Sequence, residues 1–149
     1  MGPKIAGVSV TPLNVIARPG GAVLHMLRSD SPLFAKFGEI YFSELEPGHV
    51  RAWKRHKEMT QNFAVPVGRV KFALYDDRPA SETCGALLEF ELGRPDAYQL
   101  LTIPPLVWYG FACASEQVAL IVNCADLAHR PEESEQVSVE AASFPAVWK

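Results

Sequence analysis

Residues 38–78 read GEIYFSELEPGHVRAWKRHKEMTQNFAVPVGRVKFALYDDR, and this stretch decides the fold. Four runs within it are rich in β-branched and aromatic residues, at positions 39–46, 49–56, 62–67 and 69–76. The dipeptides Pro47-Gly48 and Val67-Gly68 separate neighbouring runs, and such residues favour tight turns. The stretch therefore predicts consecutive antiparallel strands joined by short connections.

The same pattern continues on both sides of this stretch. Further strand-like runs are predicted at positions 23–28, 85–92, 98–103, 107–112 and 118–124. One helical turn is predicted at 31–37, which begins with Ser and Pro, and another near Glu132. Many short strands at this spacing indicate a sandwich or barrel, so the chain is predicted to form one all-β domain over residues 1–149.

The composition excludes several classes of function. A net charge of -3 without a basic stripe gives no reason to expect a nucleic-acid partner. No stretch approaches the roughly 20 apolar residues of a membrane span, and the first residues lack the apolar run of a signal peptide. We therefore expect no membrane association and a cytoplasmic location, with the three cysteines as reduced thiols.

The run at 49–56 contains the most reactive side chains. Alternate residues of a strand share a face, so Ala52, Lys54 and His56 are predicted to point to one side. Arg51 and Trp53 are predicted to point to the other side. One of these two faces has to line the interior of a barrel.

Two short patterns resemble the motifs of the cupin proteins, which are small β-barrels. Gly48, followed by Lys54 and His56, has the spacing of the first motif, in which two histidines bind a metal. In the second motif, Leu106 replaces a glycine and Tyr109 replaces a histidine. The resemblance implies a cupin-type double-stranded β-helix, or jelly-roll barrel. Since one imidazole remains among these ligand positions, no catalytic metal and no cofactor are expected.

A longer pattern is similar to the dTDP-4-dehydrorhamnose 3,5-epimerase family. It comprises the run 38–78 and two later turns that keep several of the family's small, hydroxyl and proline residues. These are Ser81, Thr83, Gly85, Ile103, Pro104, Pro105, Gly110 and Phe111. Family members epimerise a nucleotide-linked 4-keto-6-deoxy sugar without a metal, using a histidine base and a tyrosine acid. The resemblance implies this fold and a dTDP-linked keto sugar as the small-molecule substrate.

The resemblance assigns roles to particular positions. Lys54 stands where the family has its catalytic histidine, and Val122 stands where it has its tyrosine. Arg51 matches an arginine that contacts the diphosphate. Asp76 matches an acidic residue at the end of the neighbouring strand, and Gln61 replaces a lysine. Arg51, Gln61, Asp76 and Val122 are therefore the predicted substrate-binding residues.

Three residues are predicted to carry the chemistry. Related sugar 3,4-ketoisomerases have two histidines on the same strand, and His56 keeps the second, which makes it the first candidate for an acid or base. Lys54 is predicted to be a base or an imine-forming amine, or else an ion-pair partner of Asp76 in an inert barrel. Tyr109 is predicted to be an acid, or else a barrel aromatic. Trp108 is placed among the pocket residues, with a core position as the alternative.

The C-terminal part raises three expectations. Glu132, Glu133 and Glu135 are predicted to form a solvated acidic surface. The carboxylate that orients the family's base is expected at 141–143, where the sequence has Ala, Ala and Ser. The segment 138–149 is predicted to pack across the barrel mouth or onto a partner subunit.

Three functions remain open at this point. The first is an epimerase or isomerase of a dTDP-4-keto-6-deoxy sugar, with metal-free proton transfer next to the ketone. The second is a repurposed cupin isomerase or cyclase acting on a non-sugar carbonyl compound in specialised metabolism, and the third is a non-catalytic binding barrel. A homodimer is expected, because the resembling enzymes pair by exchanging N-terminal strands.

Overall fold

The strand pattern of the sequence is borne out along most of the chain. The computed structural model describes residues 4–148, which contain twelve β-strands and a single 3-10 turn at Pro131–Glu133. The strands are β1 (Ser9–Pro12), β2 (Val15–Ile16), β3 (Val23–Leu24), β4 (Glu39–Leu45), β5 (Val50–His56), β6 (Gln61–Val67), β7 (Arg69–Tyr75), β8 (Leu87–Gly93), β9 (Gln99–Ile103), β10 (Trp108–Cys113), β11 (Ala119–Ala125) and β12 (Ser134–Gln136).

The strands form two five-stranded antiparallel sheets. The first sheet has the order β1-β9-β6-β11-β4, and the second has the order β12-β5-β10-β7-β8. A separate two-stranded sheet joins β2 and β3. Among residues 4–148 no hydrogen-bonded pairing joins the two five-stranded sheets, so the first has free edges at β1 and β4 and the second at β12 and β8. This arrangement confirms the prediction of an all-β fold.

The two sheets bury a shared apolar core. Leu45, Phe63 and Ile121 enter it from the first sheet, and Phe72 and Phe111 enter it from the second. The ring centroids of Phe63 and Phe72 are 5.7 Å apart. Burying a side chain of this size contributes about 1.5–3 kcal/mol, so the core holds the sheets face to face.

The pairing of β5 with β10 contains a bulge that changes which residues face inward. Tyr109 pairs with Lys54, whereas Phe111 pairs with Arg51. A step of two residues on β10 therefore matches a step of three on β5. Since Phe111 belongs to the core, Arg51 and Lys54 both face the interior. The prediction that Arg51 and Lys54 point to opposite sides is wrong, because strict alternation fails at the bulge.

The two residues in the bulge face the opposite side. Ala52 and Trp53 lie opposite Gly110, where an added Cβ would come within 2.4 Å of the Ala52 Cβ. Both pack into an outer apolar cluster with Trp108. The prediction that Ala52 shares a face with Lys54 is therefore also wrong.

The C-terminal segment covers this outer cluster. Trp53 exchanges two backbone hydrogen bonds with Val137, at 2.9 and 3.0 Å. The ring of Phe144 lies 5.6 Å from Trp53 and 5.0 Å from Trp108, measured between centroids. Packing on the outer face replaces the expected position across the barrel mouth. Lys149 lies outside the described residues.

Several local predictions differ from the structure. The predicted helical turn at 31–37 is a bend and a turn at 31–33 followed by irregular chain, and the predicted strand 23–28 is reduced to Val23–Leu24. The turn near Glu132 is confirmed as Pro131–Glu133. Leu106 has a φ of 71°, in the left-handed region that favours the glycine of the cupin motif. None of the helices within residues 4–148 has the length and hydropathy of a membrane span.

Candidate functional site

A cavity of about 510 Å3 lies between the sheets at their open side. Strand β4 supplies one wall, strands β5 and β10 supply the other, and the chain from Gln136 onward forms part of the rim. The polar residues that line the cavity are Tyr41, Ser43, Arg51, Lys54, Tyr109, Gln136 and Ser138. Three of the predicted site residues, Arg51, Lys54 and Tyr109, are therefore brought together.

Two cations on β5 form one wall of the cavity. Neither Arg51 nor Lys54 has a salt bridge to a carboxylate within residues 4–148. By contrast, the guanidinium of Arg55 pairs with Asp77 at 3.2 Å and Glu135 at 2.7 Å on the outer face. The cavity wall thus presents two positive charges to a bound molecule.

A buried histidine and a carboxylate form a dyad behind the cavity wall. The Nδ1 atom of His56 lies 2.6 Å from Oε1 of Glu133. Both side chains are almost fully buried, and Oε2 of Glu133 accepts the backbone N–H groups of Glu58 at 3.0 Å and Met59 at 2.9 Å. The carboxylate is therefore held in one orientation against the imidazole.

The environment of this dyad fixes its protonation state. Burial lowers the pKa of His56 below its ordinary value, and the bond to Glu133 opposes this shift without cancelling it. Burial also disfavours ionisation of Glu133, but hydrogen bonds from His56 and two backbone N–H groups outweigh it and lower the pKa of Glu133. A neutral imidazole with its proton on Nδ1 leaves the lone pair of Nε2 available as a base.

Two expectations about the C-terminal part differ from the structure at Glu133. Glu133 is only 3% exposed and does not belong to a solvated acidic surface. The carboxylate that holds His56 is Glu133 and not a residue of the segment 141–143. The pairing of Ser134 with His56 between β12 and β5 brings Glu133 to this position.

Tyr109 connects the dyad to the cavity. Its hydroxyl lies 3.5 Å from Nε2 of His56 and donates to Oε1 of Gln61 at 3.2 Å. Burial raises the pKa of Tyr109 above its ordinary value. Gln61, predicted to bind substrate, is 1% exposed and lies beneath the wall in contact with Tyr109. The chain Glu133–His56–Tyr109 thus runs from the interior to the cavity.

Asp76 does not reach the cavity. Its carboxylate is fully buried and receives Nε and Nη2 of Arg78 at 2.8 and 3.0 Å. The hydroxyls of Ser81 and Thr83 donate to it at 2.7 and 2.6 Å. Burial opposes its ionisation, but these bonds prevail and hold the pKa of Asp76 well below its usual range. The predicted roles in substrate binding and in pairing with Lys54 are wrong, because a turn satisfies the carboxylate.

Trp108 also lies outside the cavity. Its Nε1 atom donates to Asp77 at 3.0 Å, and the guanidinium carbon of Arg55 lies 4.6 Å from its ring centroid. Phe144 packs against the ring from the C-terminal segment. The alternative of a core position is thereby confirmed, and the pocket position is wrong. Trp108 and Tyr109 are consecutive residues of β10, so their side chains point to opposite faces of the sheet.

Val122 also lies on the side of its strand that faces away from the cavity. It pairs with Phe42 and Ala64, whereas the next residue, Asn123, turns its side chain inward. The Nδ2 atom of Asn123 donates to Gln61 at 2.9 Å and to the hydroxyl of Tyr41 at 3.0 Å. Successive residues of a strand point to opposite faces, so Val122 faces outward and cannot line the pocket as predicted.

Three site residues were missed by sequence reasoning. Tyr41 had a signal, because it alternates with Ser43 and the buried Leu45 along one predicted strand. Asn123 and Glu133 had none, since their partners lie 62 and 77 positions away in the chain. In residues 4–148, no group of three or more His, Cys, Asp or Glu side chains could hold a metal ion.

Known proteins share this architecture and part of the sequence. A dTDP sugar isomerase from Desulfovibrio desulfuricans G20 is 53% identical, with a TM-score of 0.95 over 97% of this chain and 92% of that one. The probable low-salt glycan biosynthesis epimerase Agl13 of Haloferax volcanii is 37% identical over 123 residues, which are 81% of this chain and 78% of that protein. No protein-family model matches the sequence.

A more distant structure supports the fold alone. The dTDP-4-dehydrorhamnose 3,5-epimerase of Elizabethkingia anophelis NUHP1 is 19% identical, with a TM-score of 0.82 over 100% of this chain and 85% of that one. The chain thus has a cupin-type fold with a cavity and a buried His56–Glu133 dyad. Through its similarity to Agl13 and the dTDP sugar isomerase, the chain belongs to a family of sugar epimerases and isomerases.

Proposed function

We propose that this protein is an epimerase or isomerase of a dTDP-linked 4-keto-6-deoxy sugar. The observation that carries the proposal is the hydrogen-bonded chain from Glu133 through His56 to Tyr109, which ends at the cavity. Such a chain can remove and return a proton next to a ketone. The relatives described above are sugar epimerases and isomerases, and they give no support to a non-sugar carbonyl substrate or an inert barrel.

The proposed proton transfer uses Tyr109 as the link. At rest the Tyr109 hydroxyl donates its hydrogen to Gln61, and for the reaction it rotates towards Nε2 of His56, which lies 3.5 Å away. The oxygen of Tyr109 then takes the proton from the carbon next to the ketone while its own hydrogen passes to Nε2 of His56. The C–H electron pair forms the C=C bond of an enolate, and the carbonyl pair moves to oxygen. Glu133 stabilises the imidazolium, and the reverse transfers return a proton to carbon. Because the transfers are coupled, the high pKa of Tyr109 does not require a free phenolate.

The cationic wall is proposed to bind the diphosphate. Arg51 and Lys54 face the cavity without a carboxylate partner in the described chain, and a dTDP-sugar carries its negative charge on the diphosphate. Arg51→Ala and Lys54→Met are expected to weaken dTDP binding at least tenfold in calorimetric titration. Lys57→Ala is the matched control, since Lys57 is exposed at the end of β5. Unchanged affinity in both cavity variants would contradict this assignment.

Solvent exchange tests the reaction itself. The wild-type chain is incubated in D2O with a dTDP-4-keto-6-deoxy sugar, and deuterium uptake next to the ketone is followed by mass spectrometry and NMR. His56→Gln is expected to slow uptake about 100-fold to 10,000-fold, the usual range for loss of a general base. His49→Gln serves as control, because His49 is exposed and lies outside the chain of proton carriers.

The result of this test decides the proposal. Uptake by the wild type that falls only in the His56 variant supports the reaction and the assigned base. A wild type that neither binds dTDP nor exchanges deuterium would overturn the function. Deuterium exchange that persists in His56→Gln would still support the epimerase or isomerase reaction. It would assign the role of base to Lys54, which the sequence also predicts as a base.

A homodimer is proposed on the basis of exposed apolar surface. The separate β2–β3 sheet exposes Val15 and Val23 by 43% and 47%, and the free edge strand β4 exposes Phe42 by 62%. Light scattering is expected to give twice the chain mass, and Val15→Ser combined with Phe42→Ser should shift it towards the monomer. Val139→Ser, an exposed site on the C-terminal segment, should not.

A reducing compartment is proposed as the place of action. Cys84, Cys113 and Cys124 are free thiols in the described chain, as is usual for cytoplasmic proteins. Cell fractionation should recover the protein with the cytoplasmic markers. Recovery in an oxidising compartment would contradict this proposal.

A further inference from the structure

The cavity has a second phenol, Tyr41, that the proton chain does not use. Tyr41 projects from β4 of the first sheet, whereas Tyr109 projects from β10 of the second, so the two hydroxyls approach the cavity from opposite walls. Two amides, Gln61 and Asn123, connect the hydroxyls beneath the cavity. The direction of each hydrogen bond in this bridge decides whether each phenol can donate its hydrogen to a molecule in the cavity.

A backbone group fixes the direction of the whole bridge. The N–H of Asn62 can only donate, and it lies 3.3 Å from Oδ1 of Asn123. The amide of Asn123 must therefore present its oxygen to that N–H and its NH2 group to the other side. The two NH2 hydrogens are both used, at 2.9 Å to Oε1 of Gln61 and at 3.0 Å to the Tyr41 oxygen.

The two phenols consequently have opposite roles. Oε1 of Gln61 accepts from Asn123 and also from the hydroxyl of Tyr109, so the Tyr109 hydrogen is held beneath the cavity wall. The Tyr41 oxygen is an acceptor for Asn123, so its own hydrogen is directed elsewhere. No acceptor for this hydrogen occurs among residues 4–148, and the Tyr41 side chain lines the cavity.

We propose that Tyr41 is a catalytic hydrogen-bond donor to the ketone oxygen of the substrate, on the wall opposite Tyr109. The inference rests on the proposed function and adds a group to the same site. When Tyr109 removes the proton, negative charge develops on the former ketone oxygen, and the Tyr41 hydroxyl stabilises this oxygen without giving up its proton. Asn123 is a positioning residue, because it acts on the substrate through Tyr41.

Tyr41→Phe tests the donor directly. Loss of one such donor is expected to lower kcat about 100-fold to 1,000-fold, while the dTDP Kd stays within about twofold of the wild type. Tyr75→Phe is the matched control, since Tyr75 lies on the outer face against Phe144, at 5.6 Å between centroids. It should leave kcat unchanged.

Asn123→Asp tests the positioning role. The carboxylate would accept the Tyr41 hydrogen and draw it away from the cavity, so kcat should fall to nearly the level of Tyr41→Phe. The double variant should show almost no further loss, because both changes remove the same hydrogen bond to substrate. A purely structural role for Asn123 would instead give multiplicative losses in kcat.

The outcomes separate this inference from the proposed function. A wild-type chain without turnover on a dTDP-4-keto-6-deoxy sugar overturns both. A wild-type chain with turnover, together with a Tyr41→Phe variant within threefold of its kcat, overturns the role of Tyr41 alone. Equal losses in Tyr41→Phe and Tyr75→Phe also overturn it, since they would reflect folding rather than the cavity.

Discussion

Asp76 and Glu133 are both buried carboxylates next to a strand end, yet they serve different purposes. Asp76 is bound by an arginine, which keeps its charge at any physiological pH, and by two hydroxyls of the same turn. Glu133 is bound by His56 and two backbone N–H groups, and the histidine can gain or lose a proton. The permanent partner makes Asp76 structural, whereas the titratable partner beside the cavity suits Glu133 to the proposed proton transfer.

The largest expected effect is on stability at the Asp76 turn. Asp76→Asn leaves the charge of Arg78 without its partner, and breaking a buried pair in this way costs about 3–5 kcal/mol of unfolding free energy. Urea denaturation measures the loss. The kcat of the folded fraction should be unchanged. Asp77→Asn is the control, with a smaller loss, because the Asp77 side chain is 37% exposed.

The second effect is on catalysis at the dyad. Glu133→Gln removes the charge that stabilises the His56 imidazolium, so kcat is expected to fall about 100-fold, equivalent to about 2.7 kcal/mol of activation free energy. Steady-state kinetics on the keto sugar measure it. Glu132→Gln, at an exposed position, should behave as the wild type. Normal kcat in Glu133→Gln would break the contrast between the two carboxylates.

A third substitution tests whether the turn around Asp76 is structural. Thr83→Val removes one hydrogen bond to the Asp76 carboxylate and one acceptor for the N–H of Ala6 at 2.9 Å. Hydrogen bonds to charged groups contribute about 1.5–3 kcal/mol, so a loss of about 2 kcal/mol in unfolding free energy is expected. Turnover by the folded protein should not change. A loss of kcat without a loss of unfolding free energy would show that the Asp76 turn takes part in the reaction and is not only structural.

The smallest effect is the pH dependence of stability. The pKa of His56 is lowered on folding, so below about pH 6.5 the unfolded chain takes up a proton that the folded chain does not. The unfolding free energy therefore falls as the pH drops from about 6.5, by at most about 1.4 kcal/mol per pH unit from this group.

Asp76 and Glu133 affect the unfolding free energy at lower pH than His56 does. Their pKa values are also lowered on folding, so their stabilisation is complete above about pH 4.5 and is lost below it. Denaturation between pH 5 and 7.5 isolates the histidine, and His56→Gln should flatten the profile there. Asp76→Asn should shift the whole profile down without changing its slope in this range. An unaltered slope in His56→Gln would contradict the neutral, buried imidazole.

Sequence reasoning located the strands better than the site. Local patterns predicted β4 to β11 to within two residues at each end, because turn residues and β-rich runs are signals of the immediate neighbourhood. They missed β1, β2 and β12, which have two to four residues and depend on pairing with distant segments. Among the predicted site residues, Lys54, His56 and Tyr109 lie together in the structure, since each lies on an inward face of a long strand.

The sequence by itself determined the all-β fold, the family resemblance and the shared side of Lys54 and His56 on β5. Only the tertiary structure decided that Arg51 joins Lys54 inside, because a bulge interrupts the alternation. It also decided that Asp76 is structural and that Glu133 holds His56. These contacts form only when the strands pair in one particular register. The hydrogen bond between His56 and Glu133 joins residues 77 positions apart, so the sequence around either residue does not predict it.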